Sequence, residues 1–179
     1  MFYLACTRFN DSTYKDNIDY RNNNNEDVIY GAPLQIRNIY PAGSLLFVAE
    51  MNNERNRIEG IGLIKNLLVF DKRHKIYENT DYNRYIYRGK YWLSREKLDI
   101  FDPEISEIFD NILFKGKSHL KRISGITVLT DKLFTNWIYE MRTLKNKVKC
   151  AFLHNFKYNN YFEPNIIEDI VEIDDIVKL

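Results

Sequence analysis

The sequence predicts an α+β domain, a small, curved, largely antiparallel β-barrel flanked by two or three helices. Three observations carry that reading. Two apolar runs, Ser44–Met51 and Ile58–Phe70, flank a polar loop of hairpin length, Asn52–Arg57, and Gly60 and Gly62 inside the second run mark a bend or bulge of the kind found at barrel corners. "DPEISEIFDNILFK" opens a helix with Asp102 as N-cap and Pro103 at the first position, and Ile105, Ile108, Phe109 and Ile112 then share one face. The composition, 45% hydrophobic and 28% charged, is that of a folded chain, and 179 residues suit one domain, residues 1–179, with a sizeable core.

The remaining elements follow in chain order. "FYLACT", Phe2–Thr7, reads as a short strand. Residues 8–27 are polar and Asn-rich and read as a mobile loop. "YPAG", Tyr40–Gly43, is a tight turn leading into the Ser44 strand. After the charged loop Asp71–Lys75, the aromatic density of Arg84–Leu93 predicts a further strand or hairpin arm. Ile123–Leu129 reads as a strand. From Thr130 and Asp131, the spacing of Leu133, Phe134, Trp137, Ile138, Met141 and Leu144 predicts a second helix. Val148–Phe156 reads as a strand and Pro164–Leu179 as a third helix.

Ile, Asn, Lys, Tyr and Phe, all encoded by A/T-rich codons, make up 80 of the 179 residues. That is the imprint of an A/T-rich genome, such as that of a large DNA virus or a protozoan, and the run Asn22–Asn25 then needs no functional explanation. Two cysteines make no disulfide framework. There is no signal-peptide pattern and no apolar stretch near the roughly 18 residues that span a bilayer. The expectation is an intracellular protein of the cytoplasm or nucleus, with no membrane partner.

Net charge is +1, but it is unevenly spread. From Lys115 to Tyr158 there are ten Lys or Arg against Asp131 and Glu140, a local net of +8; residues 163–179 carry six acids and one Lys. The densest cations lie in "FKGKSHLKRISG", where Lys115, Lys117, His119, Lys121 and Arg122 stand between or beside Gly116 and Gly125 with no acid among them. Cations at that spacing suit phosphates, and glycines let the backbone approach a partner closely. Single-stranded nucleic acid also needs rings for its bases, which Tyr91 and Trp92 are read as supplying, with Arg84 and Arg88 as cations beside them.

No reaction is legible. "GKS" at Gly116–Ser118 lacks the upstream Gly, the preceding strand and the following helix of a phosphate-binding loop. Cys150 and His154 lack a third and fourth zinc ligand, and Cys6 has no nucleophile signature around it. Adjacent acids such as Asp174 and Asp175 do not face each other on a helix. The sequence predicts no catalytic residue, metal or cofactor.

"PAGSLLFVAEMNNERNRIEGIGLIKN", Pro41–Asn66, resembles the pattern of PUA-like domains, including their EVE and YTH branches: a turn with Gly, an apolar strand, a polar loop and a strand with a glycine pair. The resemblance implies a small β-barrel flanked by helices that binds RNA or modified bases. Where those families often have Asp after the turn glycine this chain has Ser44, so no binding residue is carried across. The favoured expectation is therefore a non-catalytic RNA- or DNA-binding domain. The alternatives are a structural or interaction protein, viral in origin, that self-associates through its basic and acidic faces, and a nucleic-acid-processing enzyme whose site is assembled from scattered residues.

Overall fold

The structure, a computed structural model, describes residues 2–157. Its strands are β1 (Phe2–Phe9), β2 (Val28–Ala32), β3 (Leu45–Asn52), β4 (Arg57–Lys65), β5 (Tyr85–Gly89), β6 (Tyr91–Ser94) and β7 (Thr127–Val128). Its helices are α1 (Asp11–Asn24), α2 (Arg95–Phe101), α3 (Pro103–Phe114) and α4 (Met141–Phe152). Five strands form one sheet in the order β6-β4-β3-β1-β7, and β2 with β5 forms a separate antiparallel ribbon. Pairing is antiparallel except between β1 and β3, which run parallel on either side of α1 and β2 in sequence. The architecture is thus α+β with a mixed sheet, and the sheet is open among the described residues.

β3 is continuously apolar because both of its faces are buried. Leu45, Phe47, Ala49 and Met51 meet α2, α3 and α4 in one core cluster. Leu46 and Val48 point the other way, into a second cluster closed by the β2–β5 ribbon and the aromatics around it. The hairpin curvature expected from the sequence is present, and its register slips between Ala49 and Met51, so that Glu59 and Gly60 stand opposite Glu50. Gly62 serves a close approach: a Cβ there would lie 2.2 Å from the Tyr30 hydroxyl.

The helix after Asp102 forms as its cap and periodicity require, with the Asp102 carboxylate accepting from the Glu104 amide. Four expectations are corrected. Residues 8–27 are the end of β1 and a 14-residue helix, not a mobile loop. That helix has no apolar stripe, because its buried positions are Asn17 and Arg21. Arg84–Leu93 is two strands in two different sheets. The segment 130–144 is a short 3-10 turn, Asp131–Phe134, and a bend; Leu133, Phe134 and Leu144 still reach the core, but Ile138, which a helix would bury, is 93% exposed. Val148–Phe156 belongs to α4 and a following π-turn, Leu153–Lys157, where Leu144, Val148, Ala151 and Phe152 recur at helical spacing on the buried face. The expected helix 164–179 lies outside the described residues. No helix among the described residues is long and apolar enough to cross a membrane.

Candidate functional site

The basic loop joins α3 to β7, and Gly116 and Gly125 both take left-handed backbone angles that a side chain disfavours, with φ of 76° and 70°. The middle of the loop is anchored at Lys121. Its carbonyl accepts from the Asn53 amide at 2.8 Å and from Arg8 Nη1 at 3.4 Å, and its ammonium donates to Asn56 Oδ1 at 2.5 Å. The Lys121 backbone N–H donates to His119 Nδ1 at 3.3 Å. Lys115 donates to Asn111 Oδ1 at 2.7 Å. None of these partners is a carboxylate, so the charges stay uncompensated, and Lys117 and Arg122 are exposed.

The structure does not bring Arg84, Arg88, Tyr91 and Trp92 to this loop. β6 and β7 are opposite edges of the five-stranded sheet, and the loop leads into β7. Arg84 pairs with Asp81 at 2.8 Å, and Arg88 with Glu26 at 2.9 Å and Asp71 at 3.0 Å. Tyr91 is buried with its ring centroid 5.2 Å from that of Phe156, so it offers no open face for a base. Trp92 is half-buried and donates from Nε1 to Glu50 Oε2 at 3.1 Å. These side chains serve the fold.

What the loop does adjoin is a cleft of about 360 Å³ at the junction of β1 and α1. Arg8, Phe9, Asn10, Asn53, Tyr77 and Tyr82 are among its lining residues. Arg8 and Asn53 are the two side chains that hold the Lys121 carbonyl, so the basic loop forms part of the rim. Tyr77 and Tyr82 meet edge to face with centroids 6.3 Å apart, and Phe9 lies 6.4 Å from Tyr77. Gly31 makes the wall thin, since a Cβ there would come within 2.2 Å of the Tyr82 carbonyl oxygen.

The polar groups of the cleft are amides, hydroxyls, two carboxylates and the Arg8 guanidinium. Asn53 Oδ1 is buried and has no hydrogen-bond partner among the described residues, which leaves an acceptor waiting for a donor. Asp16 and Glu78 also line the cleft. Burial pushes the Tyr77 phenol well up, so it stays protonated, and its oxygen accepts from Asn17 at 3.1 Å. With two carboxylates against one guanidinium, such a set favours groups that bring N–H donors over anions.

Elsewhere the chemistry is quiet. Burial pushes the Cys6 thiol far above its ordinary range, which keeps it a neutral core group rather than a nucleophile. No group of three or more His, Cys, Asp or Glu among the described residues is placed to hold a metal ion. No protein-family model, curated protein or solved structure matches the chain.

The sequence placed the cations but not the cleft. Its lining comes from the continuous stretch at the end of β1 and the start of α1, and from β2, the β3–β4 turn, the segment around Tyr77–Tyr82 and Gly125, which are distant in the chain. The only local signal was the cap pattern of "RFNDST", Arg8–Thr13, which sets the helix start that shapes the cleft.

Proposed function

We propose that the protein binds single-stranded nucleic acid without catalysing a reaction on it, seating one base in the β1–α1 cleft with phosphates on the cationic rim. One observation carries this reading: Lys121 of the basic loop is tied to Arg8 and Asn53, two residues of a cleft that also holds Tyr77 and Tyr82. The cavity volume is within the range of small-ligand sites, and the half-buried Tyr82 ring, backed by the buried Tyr77, with amides nearby suits an unpaired base. Asp16 and Glu78 disfavour a phosphate inside, whereas Lys121, tied to Arg8 and Asn53, favours one at the rim.

The resemblance of Pro41–Asn66 to PUA-like domains supports the same reading.

The test is fluorescence anisotropy with labelled single- and double-stranded RNA and DNA, with and without methylated bases, across a salt series. Binding that prefers single strands and weakens linearly in log salt is the expected result. No binding of any probe at low salt would end the nucleic-acid reading.

A further inference from the structure

The basic loop has two sides. Gly125 lines the β1–α1 cleft, while its neighbours Ser124 and Ile126, with Lys117 and Leu120, line a second groove of about 640 Å³. The opposite wall is Leu34–Arg37 with Tyr40, and β7 and Lys132 complete it. β7 is an edge strand, so the groove runs along the free margin of the sheet.

The two cavities differ in charge. The cleft has one cation, Arg8, against Asp16 and Glu78; the groove has Arg37, Lys117 and Lys132 and no acid. All three cations are exposed, and none has a side-chain partner among the described residues. Three cations from separate segments lining one concavity with no acid among them give it a positive potential that favours an anion. The groove also offers rings and apolar surface: Tyr40, held edge-on by Tyr3 at 5.0 Å between centroids, and Leu34, 60% exposed.

We infer that this groove is a phosphate track for the nucleotides that flank the base in the cleft, so that one strand crosses the loop between Lys121 and Gly125. The inference rests on the nucleic-acid reading above and extends it: the cleft takes a base because carboxylates outnumber its one cation, and the groove takes backbone because its charged groups are all cations. A repeating anion with a ring on every unit matches a groove that combines three cations with Tyr40 and Leu34. Arg37, Lys132 and Tyr40 thereby join the binding surface.

The test compares the wild-type chain with the double variant Arg37→Ala/Lys132→Ala, using labelled single-stranded oligonucleotides of about three and about ten nucleotides, lengths that bracket the smaller single-strand site sizes. Both replaced side chains are exposed, so the fold is retained, and an unchanged circular-dichroism melt checks this. The variant is expected to lose affinity for the longer probe on the order of tenfold while keeping that for the shorter one, and to lower the log–log salt slope by about 1.4, two single-strand phosphate contacts. If the variant binds both probes as the wild type does, the track is wrong and the cleft reading stands. Wild-type protein that binds neither probe overturns both. A synthetic peptide of residues 163–179 whose binding is lost in the variant, with oligonucleotide affinity unchanged, would make the groove a site for acidic protein segments and overturn the track alone.

Discussion

The Arg21 guanidinium and the Glu50 carboxylate form an ion pair inside the protein, with side-chain exposures of 5% and 0%. Glu50 stands at the register slip of the β3–β4 hairpin and also accepts from the Tyr30 hydroxyl at 2.6 Å and Trp92 Nε1 at 3.1 Å. Arg21 lies over the rings of Tyr30 and Trp92, 5.5 and 5.7 Å from their centroids. Burial by itself lowers the Arg21 pKa, and the facing Glu50 carboxylate more than reverses this, so the guanidinium stays charged. This pair fastens α1 to the sheet, which in turn fixes the cleft at the start of α1.

Removing one partner strands the other charge in the interior. Arg21→Ala is expected to cost about 3–5 kcal/mol of unfolding free energy. Tyr30→Phe, which removes one hydrogen bond to a charged acceptor, is expected to cost about 1.5–3 kcal/mol. Urea denaturation followed by tryptophan fluorescence measures both, since Trp92 sits in the network. An Arg21→Ala cost below about 1 kcal/mol would mean the pair contributes little, as exposed pairs do.

This same pair explains what the sequence concealed. Helix α1 was unreadable because periodicity arguments look for apolar stripes, and its buried face is Asn17, bonded to the Ile29 carbonyl at 2.8 Å, and Arg21. By contrast α3 was legible, since its cap, its proline and its isoleucines all act locally. Leu133, Phe134 and Leu144 were correctly read as apolar contacts but not as a 3-10 turn and the start of another helix, because the core rewards burial and not the route taken to it. The loop cations were visible as a run, whereas Asn53, Tyr77 and Tyr82 converge only once the sheet is built.

Asn10 caps α1 and lines the cleft, so it links stability to binding. Its Oδ1 accepts from the Thr13 amide at 2.7 Å, and its own amide donates to Thr13 Oγ1 at 3.0 Å. Asn10→Ala is expected to cost about 1 kcal/mol, and Asn10→Ser to recover most of it, in the same denaturation experiment. Equal stability of the two variants would show that the box does not hold the helix start.

Acid should loosen the ribbon end of the molecule. The hydrogen bond from buried His74 at 2.8 Å, with help from Arg88, holds the Asp71 carboxyl well below the usual carboxylate range, against a smaller opposing effect of desolvation. A carboxyl depressed in the folded state stabilises above the unfolded-state value, and that contribution disappears as pH falls through the folded one. Asp71→Asn is therefore expected to lower stability at neutral pH and to flatten the dependence of stability on pH below about 4. Parallel acid limbs for variant and wild type would remove Asp71 from the account.

Position and charge separate cleanly at the loop. Replacing Lys117, Lys121 and Arg122 together with Ala removes three cations, so affinity for single strands should fall and the log–log salt slope should decrease by about 2. Asn53→Ala removes no charge but frees the Lys121 carbonyl and deletes the unpartnered acceptor of the cleft. It should therefore weaken binding while leaving the salt slope as in the wild type. Anisotropy titrations at several salt concentrations read both quantities from one data set. If Asn53→Ala binds as tightly as the wild type, the anchoring of the loop at the cleft rim is incidental, and the cations act without it.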